Sequence, residues 1–315
     1  MPNSLPFSLA DTRVWVAGHR GMVGAALVRR LARENCEILT ADRASVDLTR
    51  QAETERWIAE AKPDAIFLAA AKVGGILAND NFPADFLLDN LLIETNILKA
   101  AHETGVKKVL FLGSSCIYPK FAAQPIREDA LLTGVLEPTN EPYAIAKIAG
   151  LKLAAAYRRQ HGSDFISAMP TNLYGPGDNF DLETSHVIPA LIRKAHDAKV
   201  RGADTFTIWG TGNVRREFLH VDDCADALVF LMQAYSGEEH VNVGSGEDLT
   251  ILALAELVAE TVGFKGRIVT DTTKPDGTPR KLLSNERLRT LGWQPKTPLR
   301  QGLAETYRWF VESWK

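Results

Sequence analysis

The sequence predicts an α/β protein with a doubly wound parallel sheet and a smaller C-terminal α/β unit, on three observations. Short apolar runs alternate with amphipathic stretches through the first half of the chain: Arg13 to Ala17, Glu37 to Thr40, Ala65 to Ala69 and Lys108 to Leu112. Such runs suit strands covered by helices on both faces. A glycine turn follows the first run directly. Beyond Gly175 the apolar runs shorten and proline becomes commoner, which marks a second unit.

Taken in order, Arg13-Val14-Trp15-Val16-Ala17 is a strand, Gly18-His19-Arg20-Gly21-Met22-Val23-Gly24 a turn, and Ala25 to Leu31 a helix. Gly18 permits the tight turn, Gly21 lets backbone approach a pyrophosphate at the helix N-terminus, and Gly24 lets the helix pack close to the strand. This makes the fold Rossmann-type. In such sheets a ligand sits at the carboxyl ends of the strands, where the glycine turn, Ala69-Ala70-Ala71-Lys72 and Ser114 all fall. After the second strand, Asp42 occupies the position from which an acid binds the ribose hydroxyls of NAD and repels the extra phosphate of NADP. Arg43 beside it and Arg20 inside the turn carry the opposite sign, so both cofactors stay open at this point. The segment from Phe82 to Thr104 has apolar residues at helical spacing beyond what one sheet face needs. Plain core and pairing with a second copy of the chain both fit it.

Proton chemistry is concentrated between Gly113 and Lys147. Tyr143 and Lys147 stand four apart in a predicted helix from Pro142 through Tyr157, so phenol and ammonium share a face. A free tyrosine titrates near pH ~10, and a neighbouring cation lowers that value. Lys147 is expected to act so on Tyr143. Ser114, Cys116 and Tyr118, at spacing two, are expected to share one side of an extended strand end. Taken alone, Tyr-x-x-x-Lys occurs by chance in many helices, and a cysteine in a sheet is usually core.

The composition sets bounds. The 315 residues are 45% hydrophobic with a net charge of -3, which suits a soluble enzyme of one large or two modest domains. The basic residues are scattered, so no nucleic-acid partner is implied. The first residues, Met1 to Asp11, lack a basic head and an apolar stretch of signal length, and no run reaches a membrane span. Cys36, Cys116 and Cys224 are odd in number and irregular in spacing, which argues against a disulfide frame or a zinc site. A cytoplasmic location is expected.

The glycine pattern together with Ser114 and Tyr143-x-x-x-Lys147 resembles the extended short-chain dehydrogenase/reductases. Eight motifs in order, GHRGMVG, AAAKVGGI, LGSSCIYP, EPTNEPYAIAKIAG, MPTNLYGP, SHVIPAL, REFLHVDD and KPDGTPRKLL, resemble its GDP-sugar epimerase-reductases, from about Arg13 to the C-terminus. The resemblance implies a substrate, GDP-4-keto-6-deoxy-D-mannose, and NADP(H) as cofactor, with Arg20 and Arg43 gripping its phosphate; NAD(H) stays open because of Asp42. It implies that the cofactor is lined by Gly18 through Gly24, with His19, Met22 and Val23 among them, then by Ala70, by Leu112, Gly113, Ser114 and Ser115, by Tyr143 and Lys147, by Pro170, Thr171, Asn172 and Leu173, and by His186. It further implies that Cys116, as base, and His186, as acid, invert the carbons flanking the ketone, that Ser114 and Tyr143 hold the ketone oxygen, that Tyr143 protonates it on reduction, and that Lys147 holds the nicotinamide ribose. Asn172 is expected to meet both ligands.

Substrate recognition is expected in the second unit. Trp209 offers a flat face for a base or sugar and Arg216 a fork for a diphosphate, although a core tryptophan and a surface ion pair are the plainer readings. By resemblance, Lys194, Trp209, Arg216, Asp276 and Lys281 contact the nucleotide sugar, and Lys274 to Lys281 forms a loop over the diphosphate. His220 with Asp222-Asp223 reads as capping of a helix from Cys224 to Ala234; His102, His161, His196 and His240 show no partner. The strand Val241 to Gly244 is expected to complete the first sheet. Helices are expected from Leu249 to Val262 and from Leu303 to Trp314. The expected division is residues 1–172 and 217–246 for the dinucleotide domain, 173–216 and 247–315 for the substrate domain. The expected reaction gives GDP-L-fucose, with a homodimer as the assembly. GDP-L-colitose synthesis, redox-neutral epimerisation on bound NAD, and a non-catalytic nucleotide sensor are the rivals.

Overall fold

The computed structural model describes residues 7–274 and 276–313. The opening residues 1–6, Pro275 of the predicted loop and Trp314 of the predicted last helix lie outside the described residues. The first strands are β1 (Arg13–Ala17), β2 (Glu37–Leu39), β3 (Ala65–Leu68), β4 (Lys108–Leu112), β5 (Asp164–Pro170) and β6 (Asn172–Tyr174). They are followed by β7 (Thr205–Trp209), β8 (Arg215–His220), β9 (Val241–Val243), β10 (Asp248–Thr250), β11 (Arg267–Asp271) and β12 (Arg280–Lys281). The helices are α1 (Met22–Leu31), α2 (Gln51–Ala61), α3 (Ile76–Asn81), α4 (Pro83–Glu103), α5 (Glu141–His161), α6 (Val187–Val200), α7 (Val221–Ala234), α8 (Ile251–Val262), α9 (Glu286–Leu291) and α10 (Leu299–Ser313).

Six strands form one sheet in the order β2-β1-β3-β4-β5-β9, and every pairing in it is parallel. Alternation along β1 explains the two layers of helix. Val14 and Val16 turn to a core shared with Leu27 and Leu31 of α1 and Leu228 of α7. Trp15 and Ala17 turn to the opposite core, with Ile97 and Leu98 of α4 and Leu151 of α5. Residue by residue β3 repeats this, Ala65 and Phe67 to one side and Ile66 and Leu68 to the other. Each such valine, leucine, isoleucine or phenylalanine, fully buried, stabilises the fold by about 1.5–3 kcal/mol before entropy is counted. A third core lies under α6, α8 and α10, where Leu191, Ile192, Leu254 and Leu303 meet the parallel pair β7 and β11. Between these parts runs β8, which pairs with β6, β10 and β12.

Val241–Val243 pairs in parallel with β5, as the sequence suggests. Other expectations need correction. Ser114, Cys116 and Tyr118 do not lie along a strand, because β4 stops at Leu112 and Ser115–Ile117 is a 3-10 turn. The Ser114 hydroxyl accepts the Cys116 N–H at 3.3 Å and closes that turn, so the period of two is lost. Tyr118 is thereby buried elsewhere, donating to Asn242 Oδ1 at 2.5 Å and lying 2.8 Å from His240 Nε2. The cap of α7 is His220, not the acids. Asp222 pairs with Arg29, and Asp223 accepts the backbone N–H groups of Lys296 and Thr297. Leu249 belongs to β10, and α8 begins after Thr250, whose hydroxyl accepts the Ala253 N–H.

His240 thus sits in the core, 6% exposed, where burial, aided by Arg287 and Lys152, pushes its pKa down to about 4. An unfolded histidine titrates near ~6.5, so between those values the unfolded chain binds the extra proton and stability rises with pH. The contribution is complete above the unfolded value and is lost as pH falls toward the folded one, at about 1 kcal/mol per pH unit. Denaturation of wild type and His240→Gln from pH 7 to 4.5 is expected to show the steeper loss in wild type; parallel curves would refute the assignment.

Candidate active site

The carboxyl ends of β1, β3, β4 and β5 open into one cavity of about 750 Å³. At its β1 end, Gly18 has φ +88°, and a Cβ there would come within 2.7 Å of Ala70 backbone. Gly24 is as tightly placed, against the Gly18 carbonyl, so strand and helix touch through backbone alone. Gly21 differs: a Cβ there would meet only the Gly18 carbonyl, at 3.5 Å, and the rest of its surroundings is open. It precedes α1, which has no acidic residue in its first turn. A helix N-terminus of this kind, with unpaired N–H groups beside a cleft, attracts an anion.

Asp42 and Arg43 also line this end of the cavity. The Asp42 carboxylate is already engaged: Ser45 donates to Oδ1 through its N–H at 2.9 Å and its hydroxyl at 2.7 Å, and Arg20 pairs with Oδ2 at 2.9 Å. These hydrogen bonds, Ser45 first, lower the Asp42 pKa. An acid so occupied has less to offer a ribose, and Arg20 remains largely exposed beside it.

Along the middle of the cavity stand the groups singled out for proton transfer. Ser114 donates to Cys116 Sγ at 3.1 Å, and Asn140 Nδ2 donates to the same sulfur at 3.7 Å. Asn140 was not singled out in the sequence, since an asparagine before a helix reads as a cap; here it caps nothing with its side chain. Tyr143 stands on the cavity wall, with Phe86 packed edge-on at 6.4 Å. Protein surrounds its phenol on the wall side, and this burial raises its pKa well above the ordinary value; Cys116 and Glu94 add to the rise, and a hydrogen bond with Ser114 opposes it. The direction here is set by burial and not by Lys147. Lys147, 1% exposed, donates to the Leu112 carbonyl at 3.2 Å and lies 2.8 Å from Glu94 Oε1 on α4. Its charge is answered from behind.

His186 precedes α6 and reaches the same cavity. Its ring is open to water through the cleft, yet the walls around it are dense enough that burial lowers its pKa. Pro170, Thr171, Asn172 and Leu173 cross the floor, where Asn172 Nδ2 donates to the Glu217 carbonyl at 2.8 Å.

On the far side, Arg216, Gly277, Thr278 and Lys281 line the cavity. Arg216 donates to the carbonyls of Arg215 and Asp276. Lys194, Trp209 and Asp276 stand outside this lining. Trp209 is 40% exposed, with Lys194 Nζ 5.0 Å and Lys274 Nζ 5.5 Å from its ring. The Asp276 carboxylate accepts the Thr211 N–H and hydroxyl, which commits it to the backbone turn. The histidines without partners in sequence acquire them in space: His102 meets Ser163 and lies tilted against His161 at 4.4 Å, and His196 meets the Tyr307 hydroxyl.

A glycine turn with Ser114, Tyr143 and Lys147 on one shared cleft gives the outline of a nicotinamide-dependent enzyme. The NAD dependent epimerase/dehydratase family model matches residues 14–244, and the chain belongs to that family. Within it, the chain is one of the GDP-L-fucose synthase relatives. It is 62% identical to a GDP-L-fucose synthase of Sinorhizobium fredii, over 98% of this chain and 99% of that one. A GDP-L-colitose synthase of Yersinia pseudotuberculosis is 38% identical over 95% and 98% of the two chains. The structure of a GDP-L-fucose synthetase from Naegleria fowleri bound to NADP superposes with a TM-score of 0.91 at 32% identity, over 99% of this chain and 96% of that one.

Gly150 is the local device that admits Glu94: a Cβ there would strike Glu94 Oε2 and the Phe111 ring. Alanine in mid-helix gains about 1 kcal/mol over glycine, whereas overpacking costs about 1–3 kcal/mol. The collision should win because the ion pair behind it has nowhere to move. Urea denaturation of Gly150→Ala is expected to show a net loss of up to about 2 kcal/mol, and a gain would remove this account of the glycine.

Proposed function

We propose that the protein converts GDP-4-keto-6-deoxy-D-mannose to GDP-L-fucose, by epimerisation at carbons 3 and 5 and reduction of the 4-keto group with NADPH. The observation that carries this reading is one cavity holding both a Ser–Tyr–Lys set and a thiol–imidazole pair, Cys116 and His186. A simple ketone reductase has no use for the second pair, while inversion beside a ketone needs a base and an acid.

The cleft fits a dinucleotide, since Gly21 is open, the α1 N-terminus faces it, and Arg20 and Arg43 flank an Asp42 already engaged. NADP(H) is held there, along Gly18 to Gly24, Ala70, Leu112 to Ser115 and Pro170 to Leu173. The cofactor supplies the hydride for carbon 4. Cys116, as thiolate, removes the proton beside the ketone, and the electron pair moves to the oxygen, where Ser114 and Tyr143 hold the charge. His186 returns a proton to the carbon, so the step changes configuration and not oxidation state. At reduction Tyr143 gives its proton to the oxygen at carbon 4, and Lys147 positions the ribose. The sugar nucleotide lies toward Asn172, Arg216 and Lys281, with Lys194, Trp209 and Asp276 at its outer end. Residues 1–172 with 217–246 form the dinucleotide domain and the remainder the substrate domain. The exposed Phe82 and Leu88 on and before α4 favour a homodimer through that helix. A cytoplasmic location suits the free cysteines and the absence, among the described residues, of any helix long and apolar enough to cross a membrane.

The direct test is oxidation of NADPH, and separately NADH, with this keto sugar, the product being identified by NMR. Stoichiometric oxidation with GDP-L-fucose formed is expected, faster with NADPH; a cofactor that is never released oxidised would point to a redox-neutral epimerase, and faster turnover of the 3-deoxy keto sugar to a colitose synthase. Tyr143→Phe is expected to lower kcat by about 100-fold or more, with cofactor affinity nearly intact, and unchanged turnover would sink the assignment. In Cys116→Ala, solvent deuterium uptake beside the ketone should fall far more than cofactor binding; normal uptake would take the thiol out of the mechanism.

A further inference from the structure

Behind the cleft wall lies a charged residue that the reaction as described does not use. Glu94 projects from the middle of α4, is 0% exposed, and places Oε1 2.8 Å from Lys147 Nζ. Neither carboxylate oxygen has a hydrogen bond of normal geometry, and Oε2 lies over Gly150, where only the missing Cβ leaves room. Phe111, 5.0 Å from Nζ at its centroid, closes another side. Burying an ion pair this way costs several kcal/mol per ion before the two charges compensate each other, and a well-packed apolar pair in place of both is often no less stable. The arrangement is therefore dear for the fold alone.

We propose that Glu94 is a positioning residue that neutralises Lys147 from behind and keeps Tyr143 a phenol, the form in which it can give a proton to a substrate oxygen. An uncompensated Lys147 ammonium, 5.9 Å from the Tyr143 ring, would favour phenolate. Phenolate suits an enzyme that removes a proton from an alcohol. A ketone reductase needs the opposite. The inference rests on the reductive reading of the site. The other titratable or charged groups about Tyr143 are Cys116 from the 3-10 turn, His186 before α6, and Lys72, which is paired with Asp85 and Asp89 of α4 and lies over the Phe86 ring. Only Glu94 touches Lys147 among the described acidic residues. Its own pKa is raised by burial, against which Lys147 acts.

The test is the pH dependence of kcat for keto-sugar reduction. In Glu94→Gln the alkaline limb is expected to fall by about one pH unit or more, with the KM for NADPH changed less than threefold. Glu94→Asp, which draws the charge back by one methylene, should shift the limb the same way by less, and it serves if the glutamine variant does not fold. A uniform drop in kcat with the limb in place would mean a merely structural role and overturn the proposal. Wild type that reduces no keto sugar would instead defeat the functional reading; ultraviolet titration of Tyr143, taken as the difference from Tyr143→Phe, then decides on Glu94 without substrate. There too, a phenol that titrates no lower in Glu94→Gln than in wild type overturns it.

Discussion

Parallel pairing of the six strands in the large sheet imposes the position of everything else. A parallel strand uses both edges for backbone hydrogen bonds and, covered by helices, both faces for packing, so only its ends are free. In β1 and β3 the side chains from Val14 to Ala17 and from Ala65 to Leu68 are all buried. Nothing along those strands can meet a ligand. The groups able to do so are the ones that follow the last paired residue: Gly18 after β1, Ala70 after β3, Ser114 after β4, and Asn172 after β5. One constraint on backbone thus collects the glycine turn and the Ser114 hydroxyl in a single cleft.

Charge in the interior is handled by a second constraint, that no ionised group is left without an answer. Glu217, 0% exposed, accepts the N–H groups of Gly246 at 2.7 Å and Leu283 at 2.9 Å. A carboxylate on β8 therefore fastens the turn after β9 and the strand end that carries Lys281, which aligns the sugar-side wall with the sheet. Asp248 does similar work nearer the surface, pairing with both Arg215 and Arg280. Glu94 and Lys147 satisfy the same rule beside the chemistry, and there the neutral sum matters more than the strength of the pair.

The reach of sequence reasoning follows from what each signal depends on. The strands of the large sheet and the helix carrying Tyr143 were legible because apolar periodicity and glycine chemistry are local. The cleft was legible as well, through the rule that ligands gather at strand ends, and the predicted residues at the glycine turn, at Ser114 and at His186 do line it. Tyr118 was misplaced for a local reason: one hydroxyl, Ser114 capping its own turn, replaced a period of two by a tighter one. Glu94 was invisible because an acid within an apolar helix reads as a solvated face, and only the fold brings Gly150 and Lys147 against it. Asp42 was legible as an acid at the ribose position, but its engagement with Ser45 and Arg20 was not, since side-chain partners three and twenty-two residues away leave no periodic trace.

The chain path through the large sheet bears on how the molecule is made. Its outermost strand, Val241–Val243, comes after β6, β7 and β8 have been laid down elsewhere. During synthesis the edge of β5 from Ala168 to Pro170 therefore waits, unpaired and apolar, until the ribosome has passed Val243. An open apolar edge invites other strands. Helix α7, which packs on β4 and β5, precedes β9 in the chain, so one face of that waiting strand has its cover encoded ahead of its edge partner.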